Sequence, residues 1–215
     1  MIDLTHDVEN NMQTFPKHWH IKTRITQLGT INKEHRETKK IEMSSHAGTH
    51  VDAPLHFIKN GKTIDKINIK LLYGDALLID FSKLKFFHEI SLEQIKKKIK
   101  KPPLRLVLRF DWDIKAYKTK KFYSHHPYLS PEVCRWLVKG GCKLLGMDTP
   151  QIDNPNIKIK SKFDAQNHKI LLGKNVLLVE YLKNLRKIKK KKFKLIVAPL
   201  KIKNSDGAPA RCFAI

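Results

Sequence analysis

The sequence predicts a single α/β domain in which a mixed sheet predominates and helices are few. Three observations carry this. The chain has 215 residues with no Pro/Gly/Ser-rich linker to divide it. Its apolar residues fall in short runs of strand length. Only two segments begin with well-formed helix caps.

Ile2 to Thr5 alternates as a short strand, and residues 12–19 read as an irregular loop broken by Pro16. Ile21 to Thr30 and Thr38 to Ser44 alternate as strands leading into a histidine-rich stretch, after which Asn60-Gly61 marks a turn. Ala76 to Phe81 is an apolar strand. Ser91 with Gln94 forms a capping box for a short helix that Pro102 and Pro103 stop. Leu104 to Phe110 is a buried strand. Ser130 then caps a second helix with Pro131 at its first position, closed by Gly140-Gly141. Cys142 to Met147, Val176 to Val179 and Phe193 to Pro199 complete the apolar strands.

The chemistry is concentrated between Ser45 and Phe57, reading S-H-A-G-T-H-V-D-A-P-L-H-F. His46, His50, Asp52 and His56 fall within eleven residues, and imidazole with carboxylate is a donor set for zinc or manganese. A helix would turn Asp52 about 200° from His50, and Gly48, Pro54, Thr49 and Val51 all oppose one. All four candidates share even parity and so point to one side of a strand. A straight strand would still hold His46 roughly 20 Å from Asp52, too far for one ion. The chain must therefore curl, with Gly48 permitting the bend and Pro54 ending the strand before His56.

These residues resemble the H-x-G-T-H-x-D-x-P-x-H signature of the metal-dependent cyclase family, which includes bacterial kynurenine formamidases and isatin hydrolases; every fixed position is present. The likeness runs from Ile2 to Ala214. It implies one swivelling β/β/α domain over residues 1–215, assembled as a homodimer or tetramer. It also implies two ions, zinc or alternatively manganese: His46, His50 and Asp52 on one, Asp52, His168 and Glu180 on the other, Asp52 bridging. His168 and Glu180 match the family's H-x(11)-E-x-L, and Glu180 closes an apolar run, where its charge needs a partner. His56, one step beyond the ligands, is then the group that moves protons.

The resemblance also places Phe15, of the pair Phe15-Pro16, over a small-molecule substrate, where kynurenine formamidases commonly carry Trp; His18 and Trp19 are alternative pocket walls. Phe110 and Gln151 depart from the family pattern at the pocket edge. The implied activity is hydrolysis of a carbon–nitrogen amide bond, first an arylformamidase of tryptophan catabolism releasing formate from N-formylkynurenine, with a cyclic amide or lactone hydrolase as the alternative. Asp148 and Asp153 are expected to brace their loop or support ligands, and His125 and His126 to take no part in the site.

The composition could suggest another class. Forty-three Lys and Arg against 20 Asp and Glu give a formal charge of +23, with runs at 96–101 and 186–192. Such charge suits nucleic acid, but lysine is spread through nearly every segment and the runs lack aromatics for base stacking, so an ordinary lysine-rich surface is expected. No apolar stretch is long enough to cross a membrane, and the opening M-I-D-L-T-H-D-V is not a signal peptide. With three unpaired-looking cysteines, Cys134, Cys142 and Cys212, a cytoplasmic protein is expected.

Overall fold

The four central apolar runs pair as parallel neighbours because both of their faces are buried. In the computed structural model, which describes residues 1–215, β1 (Ile2–Asp3), β2 (Arg24–Gly29), α1 (Ile31–Glu34), β3 (Thr38–Glu42) and β4 (His50–Asp52) lead into β5 (Tyr73–Asp80). Then come β6 (Glu89–Ile90), α2 (Leu92–Lys98), β7 (Arg105–Arg109), α3 (Trp112–Lys115), β8 (Tyr128–Leu129) and α4 (Pro131–Lys139). The chain ends with β9 (Leu144–Met147), α5 (Gln166–Leu172), β10 (Leu177–Glu180), β11 (Lys192–Pro199) and β12 (Gly207–Ala214).

The main sheet has eight strands in the order β1-β12-β11-β5-β7-β9-β10-β4, and β4 also pairs with β12, so the sheet closes on itself. The pairings β5–β7, β7–β9 and β9–β10 are parallel and the rest antiparallel. This is the expected mixed sheet with few helices.

Strand alternation divides the core in two. Val51, Leu78, Val107, Leu144, Leu177, Val179 and Leu195 fill the inside of the closed sheet. Ile79, Leu106, Leu108, Leu145, Met147 and Leu178 face outward under α2, α4 and α5, meeting Ile95, Val133, Leu137 and Leu171. Both capped helices form as expected. The Ser91–Gln94 box is complete, and Ser130 Oγ accepts from the Val133 N–H.

Three elements differ from the sequence expectation. Residues 24–29 and 38–42 do form strands, but as a separate, largely exposed hairpin outside the main sheet. Gly207–Ala214, beyond the last strand expected from the sequence, forms a further strand, β12. Pro209 is tolerated there because it sits opposite His50 while Ala210 donates to the Thr49 carbonyl, carrying the ladder past it. Finally, His168 lies on α5, a seven-residue helix whose signals were masked by an entry through Ala165 at φ 49° without a side-chain cap.

Candidate metal centre

The site forms where β4 is wedged between β10 and β12. Glu180 lies opposite His50 and Leu178 opposite Asp52 on one side, and Gly207 lies opposite Asp52 on the other. Val51 enters the inner core, so His50 and Asp52 project from the opposite face of the strand. The preceding segment bends at Gly48, whose φ of 62° suits glycine; a Cβ there would meet Met12 Cε at 2.7 Å. After Asp52, a 3₁₀ turn over Pro54–His56 brings His56 back. The curl expected from parity and spacing is therefore present. It carries His46 Nδ1 to 2.8 Å from Asp52 Oδ1.

His46, His50, Asp52, His56, His168 and Glu180 all meet in this one place. Asp52 is shared by two tight donor triples, one with His46 and His56 and one with His50 and Glu180. His168 Nε2 stands against both carboxylates, 3.5 Å from Asp52 Oδ2 and 3.3 Å from Glu180 Oε1. His50 Nε2 lies 3.2 Å from Asp52 Oδ1 and 3.6 Å from Glu180 Oε2. Asp52, His50, His168 and Glu180 are each at most 3% exposed.

Each imidazole is held by its outer nitrogen. His50 Nδ1 donates to the Gly48 carbonyl at 2.8 Å, and His168 Nδ1 to Asp153. His46 Nε2 donates to Asp206 Oδ2 at 2.7 Å. The inner nitrogens are thus aimed at Asp52 and Glu180, the arrangement that orients histidines toward a metal. Asp52 Oδ2 and Glu180 Oε1 are buried with no hydrogen-bond partner, although buried carboxylate oxygens are ordinarily satisfied. Two orphaned oxygens facing three oriented imidazoles fit a divalent cation of the zinc or manganese type.

The electrostatics tell the same story. Burial pushes Glu180 up, and the neighbouring Asp52 adds to the rise. Burial also works against the charge on Asp52, but His56, His168 and His46 outweigh it and hold that carboxyl well below its usual range. Burial opposes protonation of His46, yet hydrogen bonds to Asp206 and Asp52 lift it to about 10. The carboxylate pair thus demands nearby positive charge, which an ion can supply in place of protonated imidazoles. Burial lowers His56 despite the raising effects of Asp52 and Asp206.

A cleft of about 1100 Å³ opens over the centre. Phe15 lines it, edge-on to Tyr123 at 5.7 Å and to His20 at 5.6 Å between ring centroids. Of the alternative walls, Trp19 lines the cleft, whereas His20 takes the place considered for His18. Burial, with His46 and His56 nearby, lowers His20 to about 4, so it is neutral. Gln151 lines the cleft too. Phe110 does not: just past β7 it is fully buried against Phe81, in the helix-side core with Leu106 and Leu108.

The supporting residues behave as their positions suggested. Asp153 holds His168, and Asp148 accepts the N–H groups of Phe110 and Trp112 to brace the turn after β7. His125 is exposed on Ser124, and His126 is buried with Nδ1 on the Pro127 carbonyl; neither lines the cleft. Sequence reading missed Asp206, which meets both His46 and His56. Its only local signal is Asp before Gly, a turn-forming pair.

The chain belongs to the cyclase family: the Cyclase family model matches residues 2–154. It is similar to the kynurenine formamidase of Bacillus cytotoxicus, 29% identical over 220 residues covering 98% of this chain and 94% of the relative. The Bacillus cereus kynurenine formamidase is 28% identical with the same coverage. Among solved structures, isatin hydrolase A from Labrenzia aggregata superposes with a TM-score of 0.86 at 26% identity, covering 99% of this chain and 92% of that one.

Proposed function

We propose that this chain is a metal-dependent hydrolase that cleaves an N-formyl arylamine, as the formamidases it resembles are named for doing. The observation that carries the reading is the convergence of three outward-anchored imidazoles on two buried, unpartnered carboxylate oxygens. His46, His50, Asp52, His168 and Glu180 would hold the ions, zinc or manganese, with Asp52 shared between two positions. Bound there, the metal would acidify a water and polarise the substrate carbonyl.

The chain's own residues supply the remainder. His56 Nδ1 is paired with Asp206, so Nε2 is its ring nitrogen free to accept a proton from the attacking water. The same nitrogen returns the proton to the departing amine, which balances the two halves of amide hydrolysis. Phe15, Tyr123 and the neutral His20 wall the cleft above and favour a flat aromatic substrate. Burial lowers the His56 pKa, which favours the uncharged ring that a base requires.

A second reading, hydrolysis of a cyclic amide or lactone, is favoured by the likeness to isatin hydrolase A and by Gln151 at the cleft wall. One experiment separates the two. Protein stripped of metal and reloaded with zinc or manganese is given N-formylkynurenine and isatin, with His56→Ala as control. Metal- and His56-dependent turnover of the first supports the formamidase; turnover of isatin alone transfers the assignment to the cyclic substrate.

A further inference from the structure

We propose that Asp206 is a positioning residue whose single carboxylate oxygen sets both the proton-transfer face of His56 and the metal-facing nitrogen of His46. Oδ2 lies 2.7 Å from His46 Nε2 and 3.2 Å from His56 Nδ1. The two rings are stacked beside it, with centroids 3.9 Å apart and planes 30° from parallel. A carboxylate oxygen can only accept here. Each ring must therefore place a proton on the nitrogen facing Asp206, which leaves His56 Nε2 to present a lone pair; His46 Nδ1, 2.8 Å from Asp52 Oδ1, would present one to an ion that replaces its proton.

The carboxylate is itself fixed. Oδ1 accepts from Ser45 Oγ at 3.1 Å, with Ser205 Oγ 3.3 Å away, so Oδ2 is directed at the imidazoles. Ser205 Oγ lies also 2.7 Å from the Gly207 carbonyl, closing the turn into β12. Gly207 lets the segment approach: a Cβ there would lie 2.8 Å from His46 Cε1 and 2.7 Å from the Val51 carbonyl oxygen. Asp206 enters from the far end of the chain, 160 residues from His46, so the last strand completes a site begun in the first quarter. Rotation of either ring, which an unpaired imidazole is free to make, would turn the wrong nitrogen to its task.

This role rests on the hydrolase reading for its effect on turnover, but the proton placement can be read without it. Nitrogen-15 NMR of the histidine side chains, assigned with His56→Ala and His46→Ala, is recorded for metal-free and zinc-loaded protein. In the unmodified chain His56 is expected to carry its proton on Nδ1 in both samples. In Asp206→Ala the Nδ1–H form loses its dominance. Zinc affinity, measured by chelator competition, falls 10–100-fold, and kcat falls by a similar factor while KM stays within about two-fold. Asp206→Asn, which keeps an accepting oxygen and the side-chain shape, lies between the two and guards against misfolding of the alanine variant.

A His56 proton on Nε2 in the unmodified protein, or a tautomer unmoved in Asp206→Ala, overturns the proposal even if activity drops. If no variant and no unmodified protein turns over any amide, the hydrolase reading fails, while the NMR result still decides the role of Asp206.

Discussion

Asp153 stands directly behind His168: its carboxylate accepts from His168 Nδ1 and from the backbone N–H groups of Asn167 and His168. Through this contact the loop after β9 fixes the one proposed ligand that a helix carries. Asp153→Asn should therefore weaken zinc binding by about 10–100-fold in chelator competition while the chain remains folded. Asp153→Ala also strands a buried N–H and should cost a further ~1–3 kcal/mol in urea unfolding.

Glu180 offers a test in which stability and activity move in opposite directions. Its carboxyl is pushed up by burial and by Asp52, so without an ion it is a destabilising group. Glu180→Gln should leave the unfolding midpoint of chelator-treated protein equal or higher, yet abolish most turnover. In the unmodified protein, an ion at 100 times its Kd adds about 2.7 kcal/mol. Chelation should accordingly lower Tm by roughly 5–10 °C, and that drop should largely vanish in the variant.

Gly48→Ala should destabilise by about 1–2 kcal/mol, since φ is 62° and the new methyl would meet Met12 Cε. The Gly48 carbonyl also holds His50 Nδ1, so metal affinity should fall with stability. Thermal melts with and without zinc check both effects, and an unchanged Tm would remove the role assigned to this bend.

Acid should destabilise the fold through His126. Burial pushes its pKa down to about 4 in the folded chain, while the unfolded chain titrates near 6.5. Between these values the unfolded state binds more protons, so stability is full above pH 6.5 and declines as pH falls toward 4, by on the order of 3 kcal/mol. His6, lowered to about 4 by burial, acts in the same direction. His126→Phe should flatten the curve of unfolding free energy against pH over this window; an identical slope would argue that His126 titrates normally.

The two lysine runs meet in the fold, where Lys191 Nζ donates to the Lys98 carbonyl at 3.0 Å. Any attraction to nucleic acid should nevertheless be a property of net charge. Retention of duplex DNA should fall steeply between 50 and 200 mM salt and be unaffected by His50→Ala. Hydrolysis should be nearly salt-tolerant and vanish with the same substitution.

Much of this protein was legible in the residues alone, because the relevant interactions are local. Spacing and parity in residues 45–57, with Gly48 and Pro54, define a curled half-site, and short continuous apolar runs define the strands buried on two faces. The Ser91 and Ser130 caps mark their helices for the same reason: side chain and backbone partner lie three residues apart. What only the tertiary structure decided are relationships across the closed sheet. The wedging of β4 between β10 and β12 sets Glu180 against His50 and brings Asp206 to His46 and His56. No period or motif encodes that meeting, because it depends on how distant strands pair, and an aspartate before glycine looks the same whether it closes a turn or aims two imidazoles.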